Sequence, residues 1–119
     1  MATNNGHILV VVLRKLDYLE QLLAAVMEAG VSGMTIINTR GISHASFKQT
    51  VSEFSIAAVL STLFMSEKHE SKVLLCVVDS DELCQELCRR MDDAISDIDE
   101  PNTAIYFTLP VENLRGLTK

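Results

Sequence analysis

The two longest apolar runs of the chain, Ile8-Leu9-Val10-Val11-Val12-Leu13 and Val73-Leu74-Leu75-Cys76-Val77-Val78, have strand length and do not alternate. Successive side chains of a strand point to opposite faces, so these strands are apolar on both. A sheet built on them needs cover on both sides, because one bare face would be a large adhesive patch. Helices from the same chain account for one face. The other is covered either by an inserted segment or by copies of the chain packed sheet to sheet in a closed symmetric ring, and the reading favours the ring. Neither run approaches the roughly 20 residues that a membrane-spanning helix needs.

The rest of the chain supplies the helices. After Leu13, apolar residues recur at helical spacing (Leu16, Leu19, Leu22, Leu23, Val26, Met27), which predicts a helix over Leu16 to Ala29, with Asp17 near its start as a cap and Gly30 as its stop. A second strand is expected from Gly33 to Thr39, ending in Arg40-Gly41. From Ile42 to Glu53 no period is evident. Ile56, Leu60, Leu63 and Phe64 share a helical face between Ser55 and Met65, which favours a short helix over the strand reading that two-residue spacing also permits.

A third strand is expected over Lys72 to Val78. Asp79-Ser80-Asp81-Glu82 then places Glu82 three residues after Asp79 in the manner of a capping box. The helix it opens has Leu83, Leu87, Met91, Ala94 and Ile95 as its buried stripe, with Cys84 and Cys88 beside it. The acidic turn Asp97 to Asn102 ends it, and Ala104 to Leu109 is a fourth strand stopped by Pro110. The order is βαββαβ, an α+β ferredoxin-like sandwich with an inserted segment between the second and third strands. At 119 residues it reads as one domain spanning 1–119.

Composition excludes several classes. A net charge of −6 disfavours nucleic acid, whose binding rests on Lys and Arg neutralising phosphates. Three cysteines clustered in one third of the chain make no disulfide framework, and the polar start lacks a secretory signal, so a cytoplasmic location is expected, with no membrane insertion. No nucleophile elbow or Walker loop is present. Acyl phosphatases share this fold class, but Arg14-Lys15-Leu16-Asp17 after the first strand has no glycine-rich phosphate cradle. No enzymatic activity is expected. His7, His44 and His69 lie far apart, and Cys84 and Cys88, one helical turn apart, read as core rather than as half of a four-ligand site, so no metal site is assigned.

Three segments carry a family resemblance: Glu28-Ala29-Gly30-Val31-Ser32-Gly33-Met34-Thr35, Thr39-Arg40-Gly41, and Thr108-Leu109-Pro110-Val111-Glu112. Together with the element order they resemble the P-II nitrogen regulatory superfamily, compact homotrimers that bind adenine nucleotides between subunits. The resemblance implies a cytoplasmic signalling protein, acting through protein partners and sensing a small anionic effector. It also implies that Arg40, Gly41 and Ser43 lie at a nucleotide-contacting turn, and that Arg115 supplies a second cation from a neighbouring subunit. Arginine's planar fork suits such an anion.

The chain departs from the family pattern in two places. The inserted region has no tyrosine to modify, and the loop after the second helix, usually rich in glycine and lysine, is Ser96-Asp97-Ile98-Asp99-Glu100-Pro101-Asn102. With the usual phosphate-binding loop absent, an adenine nucleotide is one candidate and the cofactor stays open. The alternatives are a structural or scaffolding trimer without effector and a metal-handling trimer similar to the divalent-cation tolerance proteins.

Overall fold

The first apolar run forms β1 (Gly6–Leu13), at the centre of the sheet. A computed structural model describes residues 5–41 and 70–117. The helix expected between Ser55 and Met65, the candidate Ser43, and the question of whether 42–69 covers the sheet all lie outside the described residues. After β1 come a 3-10 turn (Leu16–Tyr18), α1 (Leu19–Glu28), β2 (Thr35–Arg40), β3 (Glu70–Val78), α2 (Asp81–Ala94) and β4 (Ala104–Val111). The sheet order is β2-β3-β1-β4, every neighbouring pair antiparallel, which is the expected ferredoxin-like plan.

Register sorts the apolar residues into two faces. Leu9, Val11 and Leu13 of β1 share a face with Leu74, Cys76 and Val78 of β3, and all six are buried under the helices. Leu22 and Val26 of α1 and Cys84, Leu87 and Met91 of α2 close that core, with Ile95 just beyond α2. The opposite face carries Ile8, Val10, Val12, Val73, Leu75 and Val77, flanked by Ile37 of β2 and by Ile105, Phe107 and Leu109 of β4. Ile105 is 57% exposed, Phe107 42% and Leu109 50%, so the described elements leave this face bare, as the unalternating strands require.

Four local expectations are corrected. Pro110 does not stop β4, which runs to Val111 with Pro110 opposite His7; β4 is an edge strand, where a missing N–H is tolerated. Asp17 makes no cap to α1, because the chain enters through the 3-10 turn and Tyr18 takes the N-cap position without a side-chain bond. The cap of α2 is Ser80, whose hydroxyl accepts from Leu83 N–H at 3.2 Å, one residue later than the expected Asp79. Met27 is 55% exposed rather than part of the α1 stripe, since at about 100° per residue it is turned well away from the buried Leu22 and Val26 on the helix circumference. Gly30, at φ +94°, is in the left-handed conformation expected of a helix stop.

Candidate functional site

Three cross-strand pairs fix the end of β2. Asn38 lies opposite Lys72, Thr39 opposite Ser71, and Arg40 opposite Glu70. Each pair also interacts through its side chains. Lys72 Nζ donates to Asn38 Oδ1 at 2.6 Å, the Thr39 and Ser71 hydroxyls are 2.7 Å apart, and Arg40 Nη2 stands 4.0 Å from Glu70 Oε1. With Leu16, these six residues line an open cleft of about 620 Å³. The Arg40–Glu70 contact is long and partly solvated, and a pair of that kind contributes little to stability.

Gly41 follows directly, and a Cβ built on it would fall 3.2 Å from Arg14 Nη2. The Arg14 guanidinium therefore lies against the Gly41 backbone, one residue beyond the cleft-lining Arg40. Arg40 and Lys72 thus line the cleft beside Glu70, with Arg14 against the neighbouring Gly41, in a chain whose net charge is −6. A local excess of cations on an acidic protein attracts small anions.

Of the residues expected to form a site, Arg40 and Gly41 are together here. Arg115 is not: it follows β4, whose Val111 pairs with Gly6, whereas Arg40 lies at the end of the sheet where Leu13 pairs with Lys72. The eight residues of β1 separate the two ends by about 25 Å at the usual rise per strand residue. Arg14 and Lys72 were not singled out from sequence. Their only local signal is that each is a cation at the tip of an apolar strand run, and the register that brings both to Arg40 is a long-range property.

The turn after α2 lies against the Arg14–Lys15 segment. Arg14 N–H and Lys15 N–H both donate to the carbonyl of Thr103, at 2.9 and 3.0 Å, and Thr103 is buried. Lys15 Nζ donates to Asp97 Oδ2 at 3.1 Å, the Tyr18 hydroxyl donates to Asp97 Oδ1, and Lys15 Nζ also sits 5.4 Å above the Tyr18 ring. The Tyr18 hydroxyl, and after it the Lys15 ammonium, hold the Asp97 carboxyl below the usual carboxylate range; Asp97 in turn raises Lys15. The loop expected to cradle phosphates instead brings its own carboxylate to the neighbouring cation.

A second titrating contact lies on β4. The Tyr106 hydroxyl donates to Asp92 Oδ1 at 2.6 Å, and this bond, assisted by partial burial, pushes its pKa up to about 12. The folded state favours the neutral phenol, so the contact stabilises fully below pH 10, the ordinary tyrosine value, and fades as pH rises through about 12. Spectrophotometric titration is expected to show one tyrosine ionising near 12, and Tyr106→Phe removes that step. A titration in which Tyr106 ionises at the ordinary tyrosine value in the folded protein would contradict the bond.

Burial raises the thiols of Cys76 and Cys88 above the ordinary value, which disfavours the thiolate that metals bind. Among the described residues no group of three or more His, Cys, Asp or Glu is placed to hold a metal ion. Among the same residues no helix is long and apolar enough to cross a membrane.

No protein-family model matches the chain, and no curated protein matches it. Solved structures do. One is a protein assigned to PII-like signaling from Thermus thermophilus, 19% identical, with a TM-score of 0.63 over 98% of this chain and 96% of that one. Another is CPII, a nitrogen regulatory PII-like protein from Thiomonas intermedia, bound to ADP, AMP and bicarbonate, 16% identical, with a TM-score of 0.60 over 93% and 90%. CPII bound to ADP and bicarbonate matches at 17% identity and a TM-score of 0.58, again over 93% and 90%. The chain has the PII-like fold across nearly its whole length. Within the ferredoxin-like class, this is the architecture that the signature strands and the element order anticipate.

Proposed function

We propose that this chain is a single-domain, P-II-like regulatory protein of the cytoplasm and not an enzyme. It works as a homotrimer that senses a small anionic effector and acts on protein partners. The observation that carries this reading is the cleft at the end of β2, lined by Arg40 and Lys72 with Arg14 against the neighbouring Gly41, in a fold shared with proteins solved in complex with ADP, AMP and bicarbonate. Those three ligands share an oxyanion that an arginine fork can grip. In this reading Arg40 and Gly41 form the binding turn, Ser43 extends it, and Arg115 reaches the cleft from a neighbouring copy. The bare apolar sheet face supports burial between copies, and three is the number that the family resemblance implies. That face also supports a scaffolding trimer without effector, the second reading.

Calorimetric titration with ADP, AMP and bicarbonate, one at a time, separates the two. The wild-type chain is expected to bind at least one of them, and Arg40→Ala to weaken that binding about tenfold or more, the usual worth of a charge-assisted contact. Absence of binding by all three at millimolar concentration would reject the effector reading and leave the scaffold.

A further inference from the structure

If the cleft at the end of β2 holds an anion, as the effector reading above has it, the charges in its lining decide which anion. Side chains of a strand alternate between faces, so Asn38, Arg40, Glu70 and Lys72 form a block of four on one face. All four line the cleft. Arg40 stands opposite Glu70, and Asn38 opposite Lys72. The two cations therefore occupy one diagonal of the block, where residues of an antiparallel pair lie about 7–8 Å apart. That span suits an oxyanion held between them. Glu70 is the direct cross-strand neighbour of Arg40 and, two residues along β3, the same-face neighbour of Lys72. An anion bridging the diagonal lies beside its carboxylate.

The contacts within the block keep these charges in place. Glu70 Oε1 is 4.0 Å from Arg40 Nη2, and both side chains are open to solvent. Lys72 is tied to Asn38 Oδ1 at 2.6 Å, a bond that uses one of the three donors of the ammonium group. Thr39 and Ser71, paired through their hydroxyls, add no charge to the lining.

We propose that Glu70 is a specificity-determining residue: offsetting one of the two cations, it leaves the lining with a single net positive charge and makes the cleft a site for a singly charged oxyanion, bicarbonate or a carboxylate, in preference to a doubly charged one. The repulsion between Glu70 and a ligand grows in proportion to the ligand's charge, so a second negative charge is disfavoured by the same factor again. A neutral residue at this position lifts that discrimination without touching the cations.

The test compares bicarbonate, with one negative charge, and sulfate, with two, on the full chain by calorimetry at fixed ionic strength near neutral pH. Wild type is expected to bind bicarbonate more tightly than sulfate. Glu70→Gln is expected to strengthen bicarbonate about threefold and sulfate about tenfold, as charges about 6 Å apart in a watery cleft dictate. Glu70→Asp keeps the charge and is expected to keep the wild-type preference, while Glu112→Gln, which removes a carboxylate at the other end of the sheet, changes neither anion. Because an exposed ion pair contributes little to stability, Glu70→Gln is expected to keep the fold, checked by circular dichroism.

Equal gains for both anions would mean that Glu70 does not act through its charge, and would overturn the specificity role. The same gains from Glu112→Gln would assign the effect to net charge and overturn it as well. No gain for either anion, with binding still dependent on Arg40, would overturn this role and leave the proposed function standing. If neither anion binds in an Arg40-dependent way the role falls, and the proposed function falls with it only when ADP and AMP also fail to bind.

Discussion

Phe107→Asp is expected to convert the proposed trimer into single chains, read as a fall to one third of the mass in light scattering, with the far-ultraviolet dichroism of the fold retained. Phe107 sits on β4 opposite Val10, in the bare face that runs from Ile37 through Leu75 and Val10 to Leu109, and it is 42% exposed when the chain stands alone. In a single chain, an aspartate there points into water and costs the fold little. Between copies it must give up its hydration among Ile, Leu and Val side chains, an effective penalty of several kcal/mol for an unpaired ion, repeated in every copy of a symmetric assembly. A trimer held mainly by apolar burial does not absorb a loss of that size. If the mass of the variant is unchanged, this face is not the contact between copies, and its cover must come from the chain's own inserted segment.

The largest expected loss of folding stability is at Leu87. It is fully buried on α2, in the layer where α1, α2 and the helix-side face of the sheet meet, with Leu9, Val11, Leu22 and Met91 in the same core. Leu87→Ala removes buried methyl groups and leaves a cavity between two secondary-structure layers that cannot both move in to fill it, which costs about 2–5 kcal/mol. Against a typical domain stability of about 5–15 kcal/mol, that is a large share, and it is measurable as a lower urea midpoint with an unchanged slope. A loss below about 1 kcal/mol would mean that the site collapses around the smaller side chain.

Much of this architecture is written in local pattern. The unalternating runs identify the central strands and foretell a face in need of cover, because the side-chain period of a strand is fixed by geometry. Helical spacing locates α2 and its stripe, including Cys84 at the border of the core. What resisted reading depends on position within the finished sheet. Pro110 is a strand breaker in the middle of a sheet and harmless at its edge, and only the order β2-β3-β1-β4 says which applies. Ser80 rather than Asp79 caps α2, since the choice between adjacent capping residues is made by where the strand before them ends.

The cleft divides in the same way. Arg40 and Gly41 are legible through the resemblance, but Lys72 joins them only because β2 and β3 pair in one register, and Arg14 only because β1 ends beside that pair. The acidic turn after α2 can be recognised from sequence as a poor phosphate cradle. That Asp97 reaches back to Lys15 and Tyr18, 82 and 79 positions away, is a tertiary fact with no local signature.

Under the proposed reading, the placement of Arg40 and Arg115 at opposite ends of one sheet would tie recognition to copy number. A pocket that needs both cations would exist only where two chains meet, so each occupied pocket would also be a clamp between neighbours. Ligand and assembly would then be linked by mass action: dilution would strip the ligand as it separated the chains, and ligand would drive the chains together at concentrations where they otherwise part.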